Sequence, residues 1–141
     1  MKAVFLLLAV GVSVTLAKDV HDFGNYILVT AEKSFQDAES FCEGKESKLV
    51  SLHRKGTESI IQRLFKQIGA AESNIFWLGL RKPAGADTKY SWIDGSSDDY
   101  SNWAEGAPKA SASEGCVAHK DSSWVVLGCD EKHPFVCERK H

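Results

Sequence analysis

The stretch CVAHKDSSWVVLGCDEKHPFVCE, residues 116–138, decides the fold of this chain. It holds three of the four cysteines and Trp124, and it ends in the apolar run Phe135-Val136-Cys137 followed by Glu138. Short aromatic and β-branched runs that are separated by Gly, Asp and Ser are typical of strands joined by loops. The C-terminal part of the chain is therefore predicted to be a sheet that contains cysteines.

The same pattern of short apolar runs and loop residues begins earlier, after residue 74. Five strands are predicted there, at residues 76–80, 90–92, 116–119, 124–127 and 134–137. Residues 94–115 form a long stretch rich in Gly, Ser, Ala and Asp without any period, which predicts a loop. Its aromatic residues Tyr100 and Trp103 and the turn at Pro108 favour an ordered loop that packs on itself.

The residues before this sheet predict one strand and a first helix. Residues 26–30 are apolar and β-branched enough for the opening strand. Ser34 can cap a helix with Asp37 three residues later. One face of that helix is apolar and directs Cys42 inward; it consists of Phe35, Ala38, Phe41 and Cys42.

A second helix follows residues 49–52, which are predicted to form another short strand or an extended segment. Thr57 is its predicted cap, and Gly69 is its predicted stop. Apolar residues recur between them at helical spacing, namely Ile60, Ile61, Leu64, Phe65 and Ile68. The chain thus reads as two helices followed by a sheet.

The N-terminus has the pattern of a secretory signal peptide. Lys2 precedes an unbroken apolar run over residues 3–12, and small residues lead to a cleavage point after Ala17. The run is shorter than the about 20 residues that a membrane-spanning helix needs. We therefore expect residues 1–17 to be removed and residues 18–141 to be secreted as one extracellular domain without a membrane span.

Size and charge limit the function of that domain. It has 141 − 17 = 124 residues, which is enough for a real apolar core. Without Lys2 it has 17 − 1 = 16 basic residues against 19 acidic ones, a formal charge of −3. Binding to nucleic acid or to an anionic membrane would need a clustered basic excess. Neither partner is predicted.

The cysteines predict disulfides rather than a metal site. An even number of cysteines in a secreted chain implies two bridges, and the sequence alone leaves three pairings open. Zinc is the competing interpretation. It is disfavoured because the chain has no Cys-x-x-Cys pair and no close Cys/His cluster.

The ordered set of motifs resembles the C-type lectin-like domain over about residues 23–138. The matching pieces are the helix that ends at Cys42, Phe76-Trp77-Leu78-Gly79-Leu80, Trp92-Ile93-Asp94-Gly95, Asn102-Trp103, Gly115-Cys116-Val117, Trp124 with Cys129, and Phe135-Val136-Cys137-Glu138. The resemblance implies an α+β fold of two helices with antiparallel sheets, a long loop and two disulfides. It also implies the pairs Cys42–Cys137 and Cys116–Cys129.

The calcium ligands of the sugar-binding members of that family are largely replaced here. The aligned positions carry Ala107, Lys109, Val125 and Val126, and only Glu114 keeps the chemistry of a ligand. The auxiliary calcium site of the family also lacks its ligands, because Ala110 and Gly115 occupy positions where acidic residues are expected. Calcium takes six to eight oxygen ligands, and a lysine ammonium would repel the ion. We therefore expect no metal and no other cofactor. The sequence leaves the isomer of the bond before Pro108 open.

The candidate ligand-binding residues lie on and beside the long loop. They are Trp103, Glu105, Lys109, Glu114, Val125 and Val126. Each has a plainer structural role as an alternative. Trp103 packs under the loop or offers its face to a sugar ring, while Glu114 caps a turn and Lys109 is solvated. If the two valines, Lys109 and Glu105 form one exposed patch, that patch would indicate a protein interface. Trp77, Trp92 and Trp124 are predicted to be packing residues.

Catalysis is not predicted. None of the five histidines forms an i, i+4 pair or accompanies a Gly-x-Ser-x-Gly elbow, so no nucleophile, base and orienter are placed together. The predicted function is that of a recognition module that binds a carbohydrate or an extracellular protein without calcium. The alternatives are a calcium-dependent sugar-binding lectin with a rebuilt site and a structural or mineral-adsorbing protein. A homo-oligomer would strengthen weak binding, although no coiled-coil neck enforces one.

Overall fold

The computed structural model describes residues 16–70, 75–84, 89–108 and 115–139. Within these ranges the chain forms a short 3-10 helix, two α-helices and eight strands. Their order is the 3-10 helix Ala17–Asp19, β1 (Val20–Asp22), β2 (Tyr26–Lys33), α1 (Phe35–Gly44), β3 (Ser47–Leu49), α2 (Lys55–Gln67), β4 (Ile75–Lys82), β5 (Ser91–Trp92), β6 (Gly115–Lys120), β7 (Ser123–Leu127) and β8 (His133–Arg139). The predicted α+β class is confirmed.

The described strands form one sheet. Its main path runs β1-β2-β8-β4-β6-β7, with β3 paired to β8 and β5 paired to β4. The pairings are antiparallel except for that of β4 with β8, where Trp77 lies opposite Phe135. The strand β2 and the last strand, β8, therefore lie side by side near one end of the sheet, and β7 ends the path at the other end.

Each face of the sheet carries its own apolar core, because successive side chains of a strand point to opposite faces. In β4, Phe76 and Leu78 belong to the first core, whereas Trp77 between them belongs to the second. The helix α2 covers the first core with Ile61 and Phe65. The helix α1 covers the second core with three buried residues, Phe35, Ala38 and Cys42. Both helices thus bury most of the apolar faces that their sequences predict, but the prediction is wrong for Ile60, which is 41% exposed.

The structure confirms one predicted helix cap and contradicts the other. The Ser34 side chain accepts a hydrogen bond from the Asp37 amide at 3.2 Å, so the predicted cap of α1 is confirmed. The predicted cap of α2 at Thr57 is wrong. That helix begins two residues earlier, after an extended Arg54 that makes no side-chain cap bond, so Thr57 lies inside the first turn. Gly69 ends α2 as predicted, with a φ of +84° that favours glycine.

Most of the strands are longer than the sequence patterns indicate, whereas β5 is one residue shorter than predicted. β2 continues to Lys33, and β8 begins at His133 and continues to Arg139. β1 was not among the predicted strands. The segment at residues 49–52 is mostly extended chain beyond β3, although Val50 still donates its amide to Val136 at 3.0 Å. The predicted positions are confirmed within a few residues.

Two disulfides fix the fold in the pairing that the resemblance implied. Cys42 of α1 is bonded to Cys137 of β8, and Cys116 of β6 is bonded to Cys129 just after β7. The first bridge spans 95 residues of sequence, so it joins the two ends of the domain. Among the described residues no cysteine is left free.

Gly79 lies where β4 passes closest to the end of β3. A Cβ atom at this position would stand 2.6 Å from the carbonyl oxygen of Leu49 and 3.2 Å from the side chain of Ile93. The Gly79 amide also donates to Val50 at 2.8 Å, and its carbonyl accepts from Ile93 at 2.8 Å. Glycine is required here because the neighbouring backbone fills the space of a side chain.

Candidate functional site

The described part of the long loop, residues 94–108, lies along the edge strand β7. The Trp124 amide donates to the carbonyl of Asn102 at 2.8 Å, and the Ala104 amide donates to the carbonyl of Trp124 at 2.9 Å. These two bonds form a parallel bridge between Trp103 and Trp124. The described part of the loop packs on the sheet edge rather than only on itself. It also covers backbone groups that an edge strand would otherwise expose.

Aromatic rings fill the space beneath this loop. Trp103 contacts Tyr90 and Trp124 edge to face, with ring centroids 5.3 and 5.5 Å apart. Trp124 in turn contacts Trp92 at 5.5 Å and Tyr100 at 5.8 Å, again edge to face. Such contacts add to the stabilisation that comes from apolar burial. Trp103 is half-buried and packs against the first core, and its contact with a ligand stays a prediction.

The other tryptophans are core residues. The exposed fractions of Trp77, Trp92 and Trp124 are 0%, 4% and 1%. The indole nitrogen of Trp77 donates to the carbonyl of Lys33 at 2.8 Å, which anchors the end of β2. The predicted packing role of these three residues is confirmed.

A buried carboxylate joins the loop to the body of the domain. Glu58 of α2 is fully buried and accepts hydrogen bonds from three side chains. The Tyr100 hydroxyl donates to Oε2 at 2.7 Å, while Asn102 Nδ2 and His119 Nε2 donate to Oε1 at 2.9 and 3.0 Å. Tyr100 and Asn102 belong to the loop and His119 to β6. We call these four residues the Glu58 network.

The electrostatics of the Glu58 network favour an ionised carboxylate. Burial raises the pKa of Glu58, but the hydrogen bonds from His119, Tyr100 and Asn102 outweigh burial and place that pKa below its ordinary value. Burial and the hydrogen bond to Glu58 raise the pKa of Tyr100 to about 12. The network is therefore stable when the carboxylate is charged and the phenol keeps its proton.

His119 has a fixed orientation in this network. Its ring stacks on Phe76 with centroids 4.7 Å apart and an angle of 12° between the planes. Its Nδ1 atom is buried and has no hydrogen-bond partner among the described residues. A proton on Nδ1 would lack an acceptor, whereas a proton on Nε2 has the carboxylate. His119 Nε2 therefore carries the proton of the hydrogen bond to Glu58.

The Glu58 network was not predicted from the sequence, although one signal was present. Glu58 precedes Ile61 by three residues and Phe65 by seven, so it falls on the buried face of α2. A glutamate in phase with core residues needs hydrogen-bond donors. Those donors come from residues 42 to 61 positions away in the chain, and their identity could not be read from spacing.

The candidate ligand-binding residues that the structure describes do not form one patch. Val125 and Val126 are neighbours in β7, so their side chains point to opposite faces of the sheet. Val125 packs against the second core, while Val126 approaches Gly115 on the opposite face. Both are half-buried, and Glu105 is exposed in the turn after Trp103. Lys109 and Glu114 lie outside the described residues.

A family comparison adds to this geometry. The model of the lectin C-type domain matches residues 31–139. The chain belongs to the C-type lectin domain family. Within its described ranges, this domain has no helix that is both long and apolar enough to cross a membrane.

The chain is also similar to individual members of the C-type lectin domain family. The chain is similar to one subunit of a snaclec coagulation factor IX/factor X-binding protein from Trimeresurus stejnegeri, with 36% identity over 113 residues, 75% of this chain and 71% of that protein. It is 32% identical to rheacalcin-2 from Rhea americana over 121 residues, 76% of this chain and 82% of that protein. Human lithostathine has a similar structure, with a TM-score of 0.73 over 89% of this chain and 91% of that one, and 24% identity.

The described positions of the sugar-coordinating calcium site do not fit a calcium ion. Ala107, Val125 and Val126 bring no side-chain oxygen to it, whereas calcium takes six to eight oxygen ligands. In the ranges that the structure covers, no three His, Cys, Asp or Glu side chains are grouped so that they could hold a metal. The bond between Ala107 and Pro108 is cis, which resolves the isomer that the sequence left open.

A second polar cluster of this lectin domain has the composition of a catalytic triad. His53 Nδ1 lies 2.8 Å from Asp99 Oδ1, and His53 Nε2 lies 3.1 Å from Ser96 Oγ. However, the Ser96 hydroxyl is also hydrogen-bonded to a carboxylate oxygen of Asp94. A carboxylate only accepts, so the single hydroxyl proton of Ser96 is directed to Asp94 and not to His53 Nε2. The cluster therefore lacks the hydrogen bond from serine to histidine that a catalytic triad uses.

Proposed function

We propose that this chain is a secreted recognition module that binds an extracellular glycan or protein ligand without calcium and without catalysis. The observation that carries the proposal is the side-chain chemistry at residues 107, 125 and 126, which are alanine and valine where the family places calcium ligands. A metal-bridged sugar contact needs oxygen ligands, and these side chains supply none.

Protein contacts hold the described part of the long loop. Its backbone pairs with β7, its aromatic residues pack on Trp124, and Glu58 binds two of its side chains. A surface that is fixed in this way is available for recognition without a metal ion, because preorganisation lowers the entropic cost of binding. The relative from Trimeresurus stejnegeri is named for binding coagulation factors, and this supports a protein among the candidate ligands.

Secretion with removal of residues 1–17 is part of the proposal. Two disulfides that bind the domain together are typical of extracellular proteins, and the apolar leader is typical of a signal peptide. The N-terminal residue of the protein recovered from the medium of expressing cells tests it. We expect Lys18.

Two of the acidic residues of the loop, Asp94 and Asp99, do not favour mineral adsorption, whereas Asp98 and Glu105 are exposed. Adsorption would need free carboxylates, but Asp94 accepts from Ser51 Oγ at 2.7 Å and Asp99 is bonded to His53. These carboxylates are already used within the domain. Recognition of a ligand is therefore the function that the geometry supports best.

The test is a binding screen of the disulfide-intact chain from residue 18 against a glycan array and extracellular proteins, with millimolar calcium and with EDTA. We expect equal binding in both conditions. Loss of all binding in EDTA would refute calcium independence.

Once a ligand is found, Glu105→Ala and Glu43→Ala form a matched pair. Both glutamates are exposed, but Glu105 lies on the loop and Glu43 lies on α1 beside Lys48. We expect the loop variant to weaken binding and the helix variant to leave it unchanged. The opposite pattern would place the ligand on α1 and contradict the proposed surface.

A further inference from the structure

The Glu58 network joins three separate parts of the fold. Glu58 is on α2, His119 is on β6, and Tyr100 and Asn102 are on the long loop. Asn102 Nδ2 also donates to the carbonyl of Ser122 at 2.9 Å, in the turn between β6 and β7. The loop is thus tied to the body by side chains on one side and by its backbone pairing with β7 on the other.

The charge of Glu58 makes these bonds stronger than ordinary ones. Hydrogen bonds to an ionised group are shorter and contribute more than those between neutral groups. A buried carboxylate needs donors because burial opposes its charge. Two of the three side-chain donors are supplied only while the loop is docked, since Tyr100 and Asn102 both belong to it.

We propose that Glu58 is the positioning residue of the long loop and holds it against β7 and α2 without a metal ion. The idea rests on the proposed function in one respect, namely that the docked loop is the recognition surface. Glu58 itself is fully buried, so its part is to fix the residues around the ligand rather than to contact it.

Two backbone amides report directly whether the loop is docked. The Trp124 amide donates to the loop at Asn102, and the Ala104 amide of the loop donates to Trp124. The amides of Val50 and Gly79 serve as body controls, since they donate to Val136 and Val50 at 3.0 and 2.8 Å. Hydrogen exchange of these four amides separates undocking of the loop from unfolding of the domain.

The experiment compares the disulfide-intact wild-type chain with three variants. Glu58→Gln keeps the shape but removes the charge and one acceptor, and Tyr100→Phe removes one donor. The control is Glu43→Gln at an exposed glutamate of α1. We expect each of the first two variants to speed the exchange of the two loop-reporting amides at least about tenfold, the effect of losing one hydrogen bond to a charged group. The body amides and all four amides of the control should not change.

Two results would overturn the proposal. Unchanged exchange of the Ala104 and Trp124 amides in both variants would mean that Glu58 does not hold the loop. An equal rise of all four amides would make Glu58 an ordinary determinant of stability. If Glu58→Gln does not fold, Tyr100→Phe, which leaves the carboxylate in place, decides between these results and the expected one.

A calcium comparison keeps this proposal separate from the proposed function. The wild-type exchange is measured with calcium chloride alone and with EDTA. Equal rates are expected, and slower loop exchange in calcium would contradict both metal-free positioning and calcium independence. Failure to find any ligand in the binding screen would leave the exchange result standing, because exchange is measured on the free chain.

Discussion

Gly79→Ala should destabilise the domain strongly, although it adds only one methyl group. The new Cβ would stand 2.6 Å from the carbonyl oxygen of Leu49 and 3.1 Å from its carbonyl carbon, and backbone atoms cannot move aside as a flexible side chain can. Separating β3 from β4 would also weaken the hydrogen bond that the Gly79 amide donates to the carbonyl of Val50. We expect a loss of about 2 to 4 kcal/mol, from roughly 1 to 3 kcal/mol of overpacking and about 1 kcal/mol of weakened hydrogen bonding.

The assay is urea unfolding of the oxidised chain, followed by tryptophan fluorescence. Gly56→Ala is the matched control. It makes the same change in the first turn of α2, where a Cβ would meet no atom within 4 Å. Alanine is the better helix former, so the control should gain about 0.5 to 1 kcal/mol. A Gly79→Ala protein within about 0.5 kcal/mol of wild type, the range of neutral surface changes, would refute the close approach of β3 and β4.

Two further predictions concern titration. The hydrogen bond from Arg139 lowers the pKa of Asp22 to about 2, so this pair stabilises the fold above the ordinary aspartate pKa of 3.8 and its contribution is lost as the pH falls toward 2. Asp22→Asn should flatten that part of the acid unfolding curve, and an unchanged curve would contradict the pairing. Burial and Glu58 raise the pKa of Tyr100 to about 12, so its contribution is present below pH 10 and is lost between about pH 10 and 12. Burial also raises the pKa of Tyr26 and Tyr90, so all three tyrosines titrate late. Ultraviolet titration should lose its component near pH 12 in Tyr100→Phe, and a titration curve that keeps this component would contradict the assignment.

Most of the fold could be predicted because its signals are local. Alternation in β4 assigns Phe76 and Trp77 to opposite faces, and Ser34 and Gly69 mark helix ends through backbone chemistry of adjacent residues. Thr57 failed as a cap although its residue type is suitable. Cap preference only selects among starts that packing allows, and α2 begins at Lys55 with Glu58 on its buried face.

The candidate site could be predicted only in part. The side chains at residues 107, 125 and 126 were read from the sequence, and so was the argument against calcium that depends on them. The idea of one patch containing Val125 and Val126 failed for a local reason, since neighbours in a strand face opposite ways. The Glu58 network was missed because a glutamate among helical residues is usually solvated.

The sequence by itself determined the class of fold, the approximate places of the strands and helices, and the chemistry available at each position. These properties depend on residue type and on periods of two or 3.6 residues. Only the tertiary structure decided which distant groups meet: Glu58 with Tyr100, Asn102 and His119, and the loop with β7. Hydrogen bonds between residues tens of positions apart depend on how the sheet and helices pack together, and no local pattern records that packing.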